Sequence, residues 1–433
     1  MIAAEVFLWG TRIGVVMQEE INSVAKFNYD EKFLKSRIEV SPIAMPLSDR
    51  VYSFPALRLE TFKGLPGMLC DSLPDKFGTK LVERYLAEQG RSIHDFSSVE
   101  RLCYVGNRGM GALEYVPAKE YFGTPDKSLN IDALVQLASD ILSEKESIHI
   151  SKNDYAMEQI IKVGTSAGGA RAKAVIAWNE ETKDIRSGQV EAGKGYGYWL
   201  IKFDGIKNNK DKGEVEDGPE YTRIEYAYYL MAKAAGIEMS ECRLYKENSN
   251  YHFMTKRFDR NPETGDKIHM QSLGAIAHYD FNEPGVNSYE QAADVIYRLG
   301  MGQKEIEQLY RRMVFNIMAR NHDDHVKNLS FLMNRKGKWS LAPAYDITYA
   351  YDKNNRWLAR HQMSTNGKLD DFTKLDLKQC ASRMNIGTRK MMKILEDVEA
   401  AISQWEIFAE KVGIREETCR EIQSLMLGED KLC

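Results

Sequence analysis

Three residues within one stretch of the chain have the types and the spacing that phosphoryl transfer requires. Asp323 is followed by Asn328, and Asp346 comes after a short segment that reads as a hairpin of the strands Phe331–Met333 and Trp339–Leu341. A strand pair of this kind would bring the three side chains together. One carboxylate can then orient an attacking hydroxyl, while the carboxamide and the second carboxylate hold magnesium against phosphates.

Two other interpretations of this set stay open. Asp and Asn in loops often form turns or cap helices, which would explain any one of these residues alone. The second alternative is metal-dependent hydrolysis, with His322 and Asp323 as a His–Asp pair and His325 as another ligand of a transition metal. The chain has only 8 histidines and the others are scattered, which disfavours hydrolysis. Packing gives no reason to gather His, Asp and Lys between two apolar strands, so phosphoryl transfer is favoured.

A glycine-rich segment gives a second chemical signal. The residues Val163–Lys173 lie between the predicted strands Gln159–Val163 and Ala174–Trp178. A strand, a glycine-rich turn and a strand can lay backbone N–H groups over phosphates. The pattern is not a Walker A loop, and glycines that merely close a hairpin would look the same.

A lysine inside an apolar strand gives the third signal. Lys202 lies within the predicted strand Tyr198–Phe203, and a buried lysine is costly unless it is paired. A phosphate and a helix carboxylate are its natural partners, as for the strand lysine of kinases. Glu225, on the predicted helix Glu220–Ala235, is the candidate carboxylate. The alternative is a lysine that reaches solvent from the edge of a sheet.

Composition places the chain among ordinary globular proteins. It has 433 residues, 43% of them hydrophobic and 28% charged, which suggests two or three domains. The net charge of −4 gives no global basic field for nucleic acid. The 6 cysteines form no CxxC motif, which indicates a reducing compartment. With no signal-peptide pattern and no apolar run near the ~18 residues of a membrane helix, we expect a cytoplasmic protein without membrane contact.

The predicted elements change character along the chain. Strands at Val6–Trp9 and Ile13–Met17 begin a β-rich part, and helices are predicted at Phe77–Glu88 and Ile131–Leu142. A hairpin of 242–245 with 251–256 follows. One helix over 302–320 leads into the Asp323 loop, and three more helices are predicted between 372 and 427. The fold class is therefore α+β, with a mixed α/β N-terminal part and a mostly helical C-terminal part.

At this point the chain resembles the HipA family of bacterial toxin serine/threonine kinases, whose two-lobed kinase-like fold is similar to the phosphatidylinositol kinases. The resemblance extends over nearly the whole chain. The blocks that carry it are Leu65–Gly78, Ala170–Lys173, Ile201–Lys202, Arg257–Arg260, Asp323–Ser330 and Pro343–Asp346. It implies an N-terminal subdomain at 1–125, a kinase N-lobe at 126–258 and a helical C-lobe at 259–433.

The resemblance also implies roles for individual residues. Asp323 matches the catalytic base, Asn328 and Asp346 match the magnesium ligands, and Ser166 matches a serine that autophosphorylates. Ser147, Ser151 and Thr165 are rival hydroxyls for that modification. The nucleotide would contact Gly168, Gly169, Ala170, Arg171, Ala172, Lys173, Lys202, Glu225, Lys256, Arg257, Phe258, His325, Lys327, Asn328, Tyr345 and Asp346. Arg171-Ala172 depart from the Gln-Glu that is common in the family at this place.

Cofactors and partners are implied in the same way. They are ATP with Mg²⁺, a HipB-like antitoxin, operator DNA reached through the antitoxin complex, and a protein substrate that is an aminoacyl-tRNA synthetase, glutamyl-tRNA synthetase being the family's main example. The expected function is a toxin kinase that inhibits translation. A corepressor that binds antitoxin and DNA with little catalysis is the main alternative, and a His–Asp metal-dependent phosphohydrolase is the distant one.

Overall fold

The computed structural model describes residues 1–88, 90–118, 129–142, 171–189, 191–206, 220–428 and 432. The chain folds into two compact units that are built from separated segments. The first comprises Met1–Asp217, Tyr245–Gln271 and Leu332–Lys338, and the second comprises Gly218–Leu244, Ser272–Phe331 and Trp339–Cys433. The three-part division that the resemblance implies stays a prediction.

An antiparallel sheet begins the first unit. Its strands are β1 (Ile2–Leu8), β2 (Thr11–Gln18), β3 (Lys26–Tyr29) and β4 (Leu113–Val116), in the spatial order β3-β2-β1-β4. Trp9 and Gly10 both have positive φ, 51° and 77°, as a tight hairpin turn with the right twist requires. Alternate residues of β1 are buried, which places one face of the sheet on a core.

Six helices are described in the first unit. They are α1 (Glu31–Leu34), α2 (Leu59–Phe62), α3 (Gly67–Cys70), α4 (Lys76–Glu88), α5 (Ser98–Val105) and α6 (Ile131–Leu142). Ser97 and Glu100 form a capping box that starts α5, because each side chain accepts from the other residue's N–H. A 3₁₀ turn at Ile93–Asp95 precedes it.

Two of these helices share a core with a five-stranded sheet. The strands are β5 (Lys173–Trp178), β6 (Ile185–Ser187), β7 (Gly197–Lys202), β8 (Cys242–Glu247) and β9 (Asn250–Lys256), in the order β6-β5-β7-β9-β8. Leu81 of α4 and Leu134 of α6 are buried in one cluster with Ile176 of β5 and Ile201 of β7. The sheet that carries Lys202 is therefore a packed and rigid support. Strand β10 (His269–Ser272) comes later in the chain.

The second unit is mostly helical. Its helices are α7 (Tyr221–Ala234), α8 (Leu273–Ala277), α9 (Tyr289–Arg298), α10 (Gln303–Met318), α11 (Lys374–Arg383), α12 (Thr388–Ile402), α13 (Trp405–Lys411) and α14 (Glu416–Leu425). Helix α10 lies at its centre and buries Ile306, Met313 and Ile317 completely or almost so. It also buries two polar residues, Arg312 and Asn316, which face the predicted site.

Most predicted elements are confirmed, with one correction. The predicted hairpin of 242–245 with 251–256 is present as β8 and β9. The predicted hairpin after the Asp323 loop is present as β11 (Ser330–Met333) and β12 (Trp339–Leu341). Four helices, not three, follow residue 372, because α12 ends and α13 begins within two residues that include no glycine or proline. The predicted strand Gln159–Val163 lies outside the described residues. In the part of the chain that the structure describes, no helix has the length and apolarity to cross a membrane.

Candidate active site

The predicted catalytic loop, which we define as residues 320–329, begins where α10 ends. Arg320 takes a left-handed φ of 56°, which stops the helix and turns the chain. The backbone N–H of Asn321 donates to Asn316 O over 2.9 Å, and that of His322 donates to Ala350 O over 3.0 Å. The direction in which the loop leaves the helix is therefore fixed before the acidic residues are reached.

Asn328 closes the loop on itself. Its side-chain Nδ2 donates to the backbone oxygen of Asp323 over 2.9 Å. Its backbone N–H donates to His325 O over 2.8 Å. The carboxamide nitrogen is thereby held within the loop, and the same geometry orients its oxygen, the atom of the group that can bind a cation.

The predicted metal-binding segment, residues 342–347, which we call the metal loop, is joined to the catalytic loop through the hairpin. Ala342 N–H donates to Ser330 O over 2.9 Å where the two strands end. The Tyr345 hydroxyl donates to Lys327 O over 2.6 Å and lies 2.5 Å from the Ser330 hydroxyl. Tyr345, which the resemblance placed beside the nucleotide, therefore also ties the two loops together.

Asp346 and Asn328 line the same cavity, and their role as metal ligands stays a prediction. Asp346 has a positive φ of 56°, a conformation that Asp adopts more readily than most residues. Both residues border this cavity of about 30 Å³ together with Asp324, His325 and Tyr345. A water molecule needs roughly 10–15 Å³ on this measure, so the cavity has room for about two waters or one ion. A carboxylate and a carboxamide supply the hard oxygen donors that suit Mg²⁺.

The environment of Asp323 contains an aromatic side chain that the sequence did not point to. The Asp323 carboxylate is about a quarter exposed and lies 3.7 Å from His325 Nε2. The His325 ring is 5.8 Å from the ring of Phe281, and Lys327 Nζ lies 5.1 Å from the centre of the same ring. Phe281 precedes Pro284-Gly285 in a loop, where sequence gives no cue to its neighbours.

The structure disfavours the hydrolase alternative. His322 is wholly buried, and its ring lies 4.1 Å from that of His361, with the two ring planes tilted by 36°. Burial, helped by His361, lowers the pKa of His322 to about 3, so this ring is a neutral packing residue. Among the described residues, no group of three or more His, Cys, Asp or Glu side chains could hold a metal ion.

The first unit contains the lysines predicted to meet phosphates. Lys173 of β5 and Lys202 of β7 are directly opposite each other in the antiparallel register, and both are buried. Like charges directly opposite repel, so the pair favours an anion between or beside the two ammonium groups. The neighbouring Ala172 is buried in the core of this sheet. Of the predicted glycine loop, Ser166, Gly168, Gly169 and Ala170 lie outside the described residues.

The predicted adenine segment, Lys256–Phe258, lies at the end of β9 in the same unit. The Arg257 guanidinium is buried and donates to both carboxylate oxygens of Asp259, over 2.8 and 2.6 Å. Gly111 N–H donates to that carboxylate as well, over 2.8 Å. Since the Arg257 side chain is committed to this ion pair, adenine would meet the segment through its backbone and through Lys256 or Phe258.

Glu225 is buried on α7, in the second unit. Its predicted pairing with Lys202 joins residues of different units and stays a prediction. Within the second unit, Asp346 and Asn328 border a small cavity, and the Asn328 side chain binds the backbone oxygen of the quarter-exposed Asp323. This is an arrangement that can hold a divalent cation next to a hydroxyl-orienting base.

Comparisons with known proteins agree with this chemistry. The family model described as the HipA N-terminal domain matches residues 4–116, and the one described as the HipA-like C-terminal domain matches residues 165–405. A candidate kinase of Sinorhizobium fredii, Y4dM, is 24% identical over 235 residues, which are 50% of this chain and 53% of that protein. A candidate kinase of Haemophilus influenzae is 26% identical over 148 residues, 31% of this chain and 43% of that protein. The chain thus spans about half or less of the length of these relatives.

A solved structure extends the likeness to the whole chain. It is described as the complex of HipA, HipB and operator DNA of a toxin–antitoxin system from Shewanella oneidensis MR-1. The two chains share 15% sequence identity and superpose with a TM-score of 0.66, covering 99% of this chain and 95% of the other. At this identity the likeness shows the fold, and it confirms the predicted α+β class.

Proposed function

Since the chain belongs to the HipA family, we propose that it is a serine/threonine protein kinase that uses ATP and magnesium and acts as the toxin of a toxin–antitoxin pair. The observation that supports the proposal is that Asn328 and Asp346 border one cavity, while the Asn328 side chain binds the backbone oxygen of Asp323 and Tyr345 ties the two loops together. That the matched relatives are candidate kinases supports it.

In the proposed mechanism, Asp323 orients the acceptor hydroxyl and takes its proton as the phosphoryl group is transferred. Its partial exposure leaves space for a hydroxyl to approach. Asn328 and Asp346 would hold magnesium, which when bound offsets the charge of the phosphates. Lys202, with Lys173 beside it, would neutralise further phosphate charge from the five-stranded sheet.

The test of this function is phosphate transfer by the full chain. Protein incubated with radiolabelled ATP and magnesium should incorporate label into itself or into an added acceptor protein, and Asp323→Ala should not. Asp294→Ala is the matched control, since Asp294 is an exposed aspartate on α9 with a side-chain exposure of 65%. No label with the unchanged chain, over a range of candidate acceptors, would reject the kinase function and favour the corepressor.

The proposed partners extend beyond the reaction. They are a HipB-like antitoxin, operator DNA bound through that antitoxin, and an aminoacyl-tRNA synthetase as the phosphorylated protein, all in the cytoplasm. The described assembly of the Shewanella protein with HipB and operator DNA supports the first two. Gel-shift titration of the operon's promoter DNA with this chain, with and without the antitoxin, would test them. The expected result is a shift that requires the antitoxin.

A further inference from the structure

The second aspartate of the catalytic loop is buried, whereas the first is partly exposed. Asp324 is 4% exposed. Its carboxylate accepts from the Tyr289 hydroxyl over 2.8 Å, from His361 Nδ1 over 2.9 Å and from the backbone N–H of Gln362 over 2.8 Å. A carboxylate has no proton to give, so Nδ1 of His361 must carry the hydrogen. Asp324 is therefore a buried anion that three donors satisfy.

These donors are themselves fixed by other parts of the second unit. Asn316 Nδ2, on α10, donates to the Tyr289 hydroxyl over 3.0 Å, and Asn321 Nδ2 donates to Asn316 Oδ1 over 2.9 Å. The His361 ring packs between His322 and Phe372, with ring centres 4.1 and 5.4 Å away. The hydrogen-bond donors of Asp324 are thus connected to α10, the helix from which the catalytic loop starts.

The same network reaches Phe281, the aromatic residue near His325 and Lys327. Gln362, whose N–H binds Asp324, accepts at its backbone oxygen from Gly285 N–H over 2.8 Å. Gly285 belongs to the loop that carries Phe281, whose ring lies 5.8 Å from His325. The buried carboxylate therefore holds one side of the catalytic loop, and the loop of Phe281 is held to the same backbone segment.

We propose that Asp324 is a positioning residue that fixes the direction of the Asp323 carboxylate. The direction of the Asp323 side chain depends on the backbone from which it extends, and moving that backbone would require Asp324 to leave its three donors. An anion without partners inside the protein is costly, so the loop is restricted to conformations that keep Asp324 in place. The catalytic part of this inference rests on the proposed kinase function, and the conformational part does not.

The test compares Asp324→Ala, Asp324→Asn and Tyr289→Phe in the full chain. The matched control is Asp376→Asn. Asp376, on α11, is another buried carboxylate, and it accepts hydrogen bonds from the side chains of Lys368 and Thr373. Amide hydrogen exchange of the peptide that spans residues 320–329 should accelerate in Asp324→Ala, less in Tyr289→Phe, and not in the control. Asp324→Asn should restore part of the protection, because the carboxamide oxygen can still accept from Gln362 N–H.

Phosphate transfer gives the second measurement. We expect kcat to fall roughly 10- to 100-fold in Asp324→Ala, the scale of a misplaced reacting group, while the affinity for Mg–ATP changes less than about threefold. In an Asp323→Asn background, Asp324→Ala should cause no further loss of residual transfer, because Asp324 acts through Asp323. A residue that merely stabilised the fold would lower transfer in both backgrounds.

The outcomes separate the two proposals. Loop exchange no faster in Asp324→Ala than in the control, or a faster exchange with unchanged kcat, overturns the positioning role. Faster loop exchange in a protein that transfers no phosphate in any background rejects the kinase function, while the conformational role of Asp324 stands. If Asp324→Ala does not fold, Tyr289→Phe decides, since it removes one donor and keeps the ring.

Discussion

Replacing Asp323 by Asn is the most direct perturbation of the proposed reaction. The change keeps the size of the side chain and removes its charge and its capacity to take a proton. Because the side chain is about a quarter exposed, we expect the free energy of unfolding to change by no more than about 0.5 kcal/mol. Asn328 would keep its hydrogen bond, since it donates to the backbone oxygen of residue 323 and not to the carboxylate.

The expected effect on transfer is much larger. Help from a general base is worth ~10²–10⁴ in rate, which corresponds to about 3–5 kcal/mol of activation free energy. Mg–ATP affinity should stay within about threefold, because the proposed metal ligands are other residues. The loss should therefore appear in kcat and leave binding intact.

Steady-state transfer from radiolabelled ATP measures kcat, and calorimetry with Mg–ATP measures binding. Thermal unfolding of Asp323→Asn beside Asp294→Asn checks that both variants fold alike. Turnover within about threefold of the unchanged chain would refute Asp323 as the base. Loss of Mg–ATP binding in parallel with turnover would instead mean that Asp323 belongs to the metal site.

Three further predictions test other parts of the molecule. Asp346→Ala should abolish magnesium-dependent ATP binding in calorimetry, because the remaining carboxamide of Asn328 cannot balance the ion's charge; unchanged affinity would contradict the metal assignment. Incubation with Mg–ATP should place phosphate on Ser166, detected by mass spectrometry and absent in Ser166→Ala, and should weaken ATP binding, since a phosphoserine carries about −1.5 to −2 charges; phosphate confined to another hydroxyl would refute this. Burial lowers the pKa of His269 to about 4, below the ordinary 6.5, so the unfolded state binds the extra proton and stability is lost as pH falls from about 6.5 towards 4. Urea unfolding should show that His269→Gln removes about 2 kcal/mol of the difference between pH 7 and pH 5, and an unchanged difference would contradict this.

The parts of the site that sequence predicted best are those that local pattern determines. The apolar strands at Ser330–Met333 and Trp339–Leu341 and the turn between them follow from alternation and turn residues, so the hairpin between the two loops is predictable. The hairpin in turn accounts for the approach of Asp346 to Asn328, because paired strands must return their ends to the same place. The long helix α10 follows from its periodic apolar residues in the same way.

Other features were missed although the sequence carries a signal for them. Arg257 and Asp259 are two residues apart at the end of β9, and extended chain places such residues on the same face. A buried ion pair was therefore an available interpretation of this segment, beside the contact with adenine. The boundary between α12 and α13 is different, because no glycine or proline marks it in the sequence, while in the structure Trp405, the first residue of α13, packs against Tyr228 of α7.

The pair Asp323-Asp324 shows where sequence reasoning must stop. Two identical side chains stand next to each other, and nothing in their order says which one is partly exposed and which one is buried. The choice is made by Tyr289 and His361, which are 35 and 37 residues away from Asp324 along the chain. A buried carboxylate without such donors would favour its protonated form or leave the interior. The donors that hold Asp324 inside the second unit thus leave Asp323 as the partly exposed residue of the pair, and this difference within one dipeptide depends on residues that only the fold brings together.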